Sequence, residues 1–182
     1  MKKILVRELM IPLDSFPSVN EDATLADAIM EMQRSQLTLP PNLHRYRAII
    51  VKSHYGKVIG KLGHFDFLRA LEPKYTHLHD IDQLRKANLS VNFINDIMEQ
   101  YHFWEDEMYD LYDRIYTVNV KEYMQPIDRT ININASLPQA IHQLLMQQNI
   151  SLMVADGDEI IGILRISEIY NDLVSRITKE SE

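Results

Sequence analysis

The chain has 182 residues, of which 46% are apolar and 25% are charged, and this composition excludes an intrinsically disordered chain. The absence of cysteine excludes disulfides, thiolate metal sites, iron–sulfur clusters and cysteine nucleophiles. The net charge of −7 argues against general binding to nucleic acid or to anionic lipid. The sequence shows no signal peptide and no membrane span. We therefore expect a cytoplasmic protein without membrane insertion and without a nucleic-acid partner.

The first predicted elements belong to a repeat. Residues 6–14 return as residues 120–128 with five of nine positions identical, and we call each copy the opening segment. After it, Thr24 and Ser136 each precede a side chain that can complete a capping box. Apolar residues at helical spacing follow in both copies. Each opening segment is therefore predicted to lead into an amphipathic helix.

A hairpin and a short helix complete each copy of the repeat. Short, β-branched runs joined by a glycine turn predict hairpins within residues 48–62 and 151–164. Closing helices are predicted over residues 65–71 and 167–177. Each half is then a β-α-β-β-α unit. Because such a unit buries too little apolar surface alone, we expect the two halves to pack on each other with pseudo-twofold symmetry.

Charge is distributed unevenly along the chain. Between Met32 and Phe65 there is no Asp or Glu, whereas six Lys and Arg residues are present. This stretch is suited to binding an anion, although a solvated surface is the plainer interpretation. Seven acidic residues fall between Asp96 and Asp113 without any Lys or Arg, and they too are most simply explained as a solvated face.

Residues 73–116 have no counterpart in the repeat and are far longer than a typical linker. Their apolar residues at helical spacing predict two helices or one bent helix. Six aromatic residues lie between Tyr101 and Tyr116 among the acidic residues. This segment, which we call the insert, has two interpretations: it could form a partner or dimer surface, or it packs against the rest of the chain, which is the plainer of the two.

The doubled order of elements resembles a tandem pair of cystathionine-β-synthase (CBS) domains, called a Bateman module. The resemblance rests on the Val-x-x-x-Met-x-Pro opening segments and on residues 60–66 and 162–168, which we call the closing segments. It implies an α/β (α+β) fold with CBS units over residues 1–72 and 117–182 and a helical insert over residues 73–116.

The same resemblance implies a function. Members of this family are mostly non-catalytic regulatory modules that bind an adenine nucleotide (AMP, ADP or ATP) or S-adenosylmethionine in the clefts between the domains. They pass ligand occupancy to a partner protein, whose identity the sequence does not reveal. The resemblance also implies a homodimer.

The first predicted ligand site centres on Asp66, where the family resemblance places a carboxylate that accepts hydrogen bonds from the ribose hydroxyls. Gly63 stands where the family usually has Thr or Ser and offers a phosphate only its backbone N–H. Nearby cationic side chains that could bind phosphate oxygens are Lys61, His64, Arg45 and Arg47. The plainer alternative is that Asp66 only caps a helix.

The second predicted site departs from the family pattern. Arg165 stands where Thr or Ser is usual and Glu168 where Asp is usual, so the two side chains either bind a ligand differently or form a structural pair. The resemblance also assigns contacts with the base to the strands that contain Phe16, Pro17 and Ile131, largely through apolar packing and backbone groups.

Metal-binding and catalytic patterns are incomplete. Glu99-x-x-His102 lacks the second copy that a di-iron site requires, and His77-x-His79 is more simply explained as part of a helix start. No glycine-rich phosphate loop and no nucleophile turn are present. We therefore expect no metal and no catalysis.

Two other functions remain as alternatives. In one, the ligand clefts are degenerate and empty, and the chain is a structural protein-interaction module whose acidic, aromatic insert binds a partner through Trp104 and Tyr112. In the other, Arg45, Arg47 and Lys52 bind nucleic acid, which the negative net charge disfavours.

Overall fold

The computed structural model describes residues 3–39, 46–77, 90–104 and 108–179. The strands are β1 (Ile11–Pro12), β2 (Ser18–Asn20), β3 (Ala48–Lys52), β4 (Val58–Gly63), β5 (Gln125–Pro126), β6 (Thr130–Asn132), β7 (Ser151–Asp156) and β8 (Glu159–Arg165). The helices are α1 (Leu25–Leu37), α2 (His64–Leu71), α3 (Val91–Gln100), α4 (Met108–Thr117), α5 (Val120–Tyr123), α6 (Leu137–Gln147) and α7 (Ile166–Lys179). Short 3-10 turns lie at Val6–Glu8, Leu13–Ser15 and Pro73–His77.

The chain divides into two compact units. The central unit is Ser18–Gln125, and the terminal unit combines Met1–Pro17 with Pro126–Glu182. Each contains a four-stranded sheet, in the order β2-β3-β4-β5 and β1-β8-β7-β6 respectively. The predicted fold class, a mixed α+β protein built from a doubled unit, is confirmed.

In the central unit the apolar face of α1 covers the sheet. Leu25, Ala28 and Met32 are buried against Ile49 and Val51 of β3. Strand β2 is parallel to β3, and β3 and β4 form the predicted antiparallel hairpin. The turn of this hairpin contains Gly56 with a φ of +76°, a conformation that favours glycine.

In the terminal unit the same arrangement recurs. Val6, Leu144, Val154 and Leu164 are all buried in one apolar cluster. Strand β6 is parallel to β7, and β7 and β8 form the second predicted hairpin. Each sheet ends with a strand from the opening segment of the other repeat copy, because β1 pairs with β8 and β5 neighbours β4.

The insert contains two described helices, α3 and α4. This agrees with the first of the two predicted forms, two separate helices rather than one bent helix. Helix α4 packs against α1 and α2 within the central unit. The end of α3 leads into an aromatic cluster in which the rings of Tyr75 and Phe103 stack with centroids 4.4 Å apart. Among the described helices, none is long and apolar enough to cross a membrane.

The predicted capping box of α1 is present. The carboxylate of Asp27 accepts hydrogen bonds from the backbone N–H of Thr24 at 2.9 Å and from its hydroxyl at 2.8 Å. The Thr24 hydroxyl in turn accepts from the backbone N–H of Asp27 at 3.2 Å. These bonds, the backbone one first, lower the pKa of Asp27 below its ordinary value.

We expect the stability that the Asp27 carboxylate contributes to depend on pH. Because its pKa is lower in the folded state than in the unfolded state, the contribution is present above about pH 4 and is lost as the pH falls through the folded pKa. Asp27→Asn should therefore be less stable than the wild type at pH 7, with a difference that shrinks below about pH 3. Urea unfolding at both pH values measures this. An equal difference at both would contradict the prediction.

Candidate functional site

A close backbone approach brings the second opening segment against strand β4. A Cβ atom at Gly60 would lie 2.5 Å from the Met124 sulfur and 3.0 Å from the Gln125 carbonyl oxygen. Only glycine leaves room for this approach, because real Cβ contacts are longer. Gln125 of β5 thereby comes within reach of the start of α2.

Asp66 is the third residue of α2 and has no exposed surface. Its Oδ2 accepts a hydrogen bond from the backbone N–H of Gly63 at 2.7 Å. The side-chain amide nitrogen of Gln125 donates to the same carboxylate, at 3.1 Å from Oδ1 and 2.9 Å from Oδ2. Such a buried charge needs hydrogen-bond donors, and here the chain itself provides them.

The predicted cationic residues lie at different places around Asp66. His64 opens α2 and is exposed, and Arg47 is exposed just before β3. Lys61 is half-buried in β4. Arg45 lies outside the described residues. The end of β4 therefore combines one buried carboxylate with the exposed guanidinium of Arg47 and the exposed imidazole of His64.

In the terminal unit the predicted pair Arg165 and Glu168 forms a bidentate ion pair. The Arg165 guanidinium donates to the Glu168 carboxylate from Nε at 2.7 Å and from Nη2 at 2.5 Å. The hydroxyl of Ser167 also donates to Glu168, at 2.9 Å. The guanidinium carbon lies 6.0 Å from the ring centroid of Phe16, a cation–π distance.

The remaining predicted residues of this unit are buried. Phe16 is 7% exposed, and Pro17 beside it is also buried. Ile131 is 5% exposed and belongs to the apolar core. An open groove of about 590 Å³ along α6 is lined by other residues, among them Arg129, His142 and Met146.

The incomplete metal patterns do not come together in the described part of the chain. Glu99 is the last acidic residue of α3. His102 follows the helix in a left-handed conformation with a φ of +54°. His79 lies outside the described residues. Within the described ranges, no three His, Asp or Glu side chains converge as a possible metal site.

Sequence reasoning missed two residues that the structure singles out. Gln125 is the variable residue of the Met-x-Pro motif and contacts Asp66 across 59 residues of sequence. The only signal for it was its difference from Ile11, the matching residue of the first copy. Glu72 ends the first predicted CBS unit, yet it is completely buried and accepts a hydrogen bond from the backbone N–H of Trp104 in the insert.

The family of the chain follows from its sequence. The family model of the CBS domain matches residues 6–73 and 120–175. The chain therefore belongs to the CBS domain family and carries two copies of the domain. No curated protein matches the chain significantly.

Solved structures of CBS-pair proteins have a similar fold. CBSX2 from Arabidopsis thaliana is 17% identical, with a TM-score of 0.63 over 97% of this chain and 99% of that one. A structure of CBSX2 in complex with AMP is 16% identical, with a TM-score of 0.60 over 94% of this chain and 97% of that one. A CBS domain-containing protein of unknown function from Bacillus anthracis is 16% identical, with a TM-score of 0.62 over 94% of each chain. At these identities the likeness establishes the fold alone.

Proposed function

We propose that this protein is a non-catalytic regulatory module that binds an adenine nucleotide through Asp66 and signals its occupancy to a partner protein. The buried Asp66 carboxylate at the start of α2 carries this proposal. Membership of the CBS family supports it, and so does the AMP complex of the similar protein CBSX2.

The chemistry at the end of β4 suits a nucleoside phosphate. A carboxylate accepts hydrogen bonds from the two hydroxyls of a ribose, and these charge-assisted bonds are stronger than neutral ones. The Asp66 carboxylate is already oriented by the Gly63 N–H, so ligand binding does not have to order it. The exposed Arg47 brings positive charge for phosphate oxygens, and the exposed His64 imidazole brings a hydrogen-bonding nitrogen.

The test is calorimetric titration of AMP, ADP and ATP into the wild type and into Asp66→Asn. We expect Asp66→Asn to weaken binding by at least about 10-fold, because the charged acceptor of the ribose hydroxyls is lost. Asp27→Asn is a matched control, since Asp27 is also the third residue of a capped helix in the same unit. It should leave the affinity unchanged. Equal affinity in Asp66→Asn and the wild type would contradict the assignment.

A second candidate is the interaction module that acts through the insert. It is favoured by exposed apolar side chains on α3, namely Val91, Phe93, Ile94 and Met98, and by the exposed Trp104 after α3 and Tyr112 on α4. Because Asp96 and Glu99 on the same helix are acidic, the surface of the partner should be positively charged. Lack of any nucleotide binding, together with a partner that Trp104 and Tyr112 variants fail to bind, would favour this candidate.

The homodimer and the cytoplasmic location remain predictions. Exposed apolar residues at helical spacing on α7, at Ile166, Tyr170, Leu173 and Ile177, support a further interface of the terminal unit.

A further inference from the structure

We infer that Gln125 is an intramolecular competitor for the nucleotide, because its amide occupies the Asp66 carboxylate and a ligand must displace it. This inference rests on the proposed function and adds to it a residue that sets the affinity of the site.

The Gln125 amide occupies the carboxylate oxygens that a ribose diol would use. The Gln125 amide nitrogen lies 3.1 Å from Oδ1 and 2.9 Å from Oδ2, so one N–H is shared between the two oxygens to which the hydroxyls of a ribose would donate. Together with the Gly63 N–H, the amide gives both oxygens a donor. The hydroxyls of a ribose can therefore hydrogen-bond to Asp66 only after the Gln125 amide has moved away from the carboxylate.

Displacement needs no change in the core. Asp66 has no exposed surface, whereas Gln125 is an exposed residue of β5. The contact of Met124 and Gln125 with Gly60 holds the backbone of this segment, so the amide leaves the carboxylate by a rotation of the Gln125 side chain. The bonds that are broken join a neutral amide to the carboxylate, and solvent at the surface can satisfy the released amide.

The terminal unit provides an internal comparison. The residue that matches Gln125 there is Ile11, which has no side-chain donor, and the residue that matches Gly63 is Arg165. The carboxylate of Glu168 accordingly accepts two hydrogen bonds from Arg165, at 2.7 and 2.5 Å, and one from Ser167, at 2.9 Å. Each unit thus supplies its carboxylate with donor side chains from a different position of the repeat. The opening segment provides Gln125 in the central unit, and the closing segment provides Arg165 and Ser167 in the terminal unit.

The Arg165 guanidinium and the Gln125 amide differ in how strongly they bind their carboxylates. The Arg165 guanidinium is charged, bidentate and 15% exposed, and such pairs are the strongest hydrogen-bonded contacts between side chains. The Gln125 amide is neutral and lies at the surface. A nucleotide should therefore displace the donor side chain of Asp66 more easily than that of Glu168.

The experiment is titration of AMP, ADP and ATP into the wild type, Gln125→Ala and Gln125→Ile, which places the matching residue of the first copy at this position. We expect both variants to bind the preferred nucleotide about 3- to 10-fold more tightly, because no amide competes. Gln33→Ala, an exposed glutamine of α1 in the same unit, is the control and should bind like the wild type. Adding Asp66→Asn to Gln125→Ala should abolish the gain.

The outcomes separate this inference from the proposed function. Wild-type binding that depends on Asp66 but does not tighten in either Gln125 variant overturns the competitor role alone. Binding by Gln125→Ala without measurable binding by the wild type supports the competitor role. Absence of binding in the wild type and in both variants overturns the proposed function and this inference with it.

Discussion

Replacement of Glu72 by alanine is expected to destabilise the central unit by about 3 kcal/mol and to release the segment around Trp104. Glu72 follows α2 and is completely buried. Its carboxylate accepts a hydrogen bond from the backbone N–H of Trp104 at 2.7 Å and one from the backbone N–H of Lys74 at 3.1 Å. Because a hydrogen bond to a charged group contributes about 1.5 to 3 kcal/mol, the loss of both bonds gives the expected value.

The neighbouring contacts explain why the release should extend through the aromatic cluster. The indole N–H of Trp104 donates to the Tyr75 hydroxyl at 3.3 Å, and the Lys74 ammonium donates to the carbonyl of His102. His102 and Trp104 both have a positive φ, of 54° and 62°, which non-glycine residues adopt only where other contacts hold them. The Glu72 carboxylate is one of those contacts.

Fluorescence gives a direct measurement, because Trp104 is the only tryptophan. We expect Glu72→Ala to move the Trp104 emission to longer wavelength at low denaturant and to lower the unfolding midpoint in urea. Glu99→Ala removes an exposed carboxylate of α3 and should change neither quantity. An emission spectrum of Glu72→Ala identical to that of the wild type would show that Glu72 does not hold the insert.

Gly162→Ala is expected to destabilise the terminal unit by about 2 kcal/mol, the cost of forcing extra volume into a packed contact. A Cβ atom at this position would lie 2.7 Å from the carbonyl oxygen of Ile11 and 3.1 Å from the Met10 sulfur. Pro12 pairs with Gly162 in the ladder of β1 and β8, so the backbone of β1 has to move away. Because alanine itself is acceptable in a strand, the loss of stability in Gly162→Ala measures the close contact of this position with Met10 and Ile11.

Gly63→Ala is the matched control for this substitution. The added Cβ atom would lie 3.5 Å from Asp66 Oδ2 and 3.7 Å from the Arg47 carbonyl oxygen, which are ordinary contact distances. We expect a change of at most about 1 kcal/mol, from the poorer helix cap. Urea unfolding compares the two variants, and hydrogen exchange at Ile11 and Ile163 reports whether β1 stays paired. Equal stability of Gly162→Ala and Gly63→Ala would contradict the steric argument.

The functional prediction from sequence reached the right region but only some of its contacts. The carboxylate at position 66 and the glycine three residues before it follow from the closing segment, and they do form a hydrogen bond in the structure. The prediction treated the Asp66 carboxylate as open to a ligand. Its second donor, Gln125, comes from a segment 59 residues later, which only strand pairing brings near.

For Arg165 and Glu168, by contrast, the sequence already offered a structural pair as one interpretation. Arg165 directly precedes α7 and Glu168 is the third residue of that helix, which is the spacing of a capping box, and the structure has the two side chains hydrogen-bonded. Local separation made this contact predictable.

The sequence by itself determined the doubled unit, the capped helices, the glycine-turned hairpins and the family. These features depend on spacings of a few residues and on motifs that repeat, so they can be predicted from the sequence alone. Only the tertiary structure decided which opening segment completes which sheet, and it alone placed Gln125 on Asp66 and Trp104 on Glu72. These are contacts between distant parts of the chain, whose partners are selected by backbone approach at Gly60 and by the need of a buried carboxylate for donors.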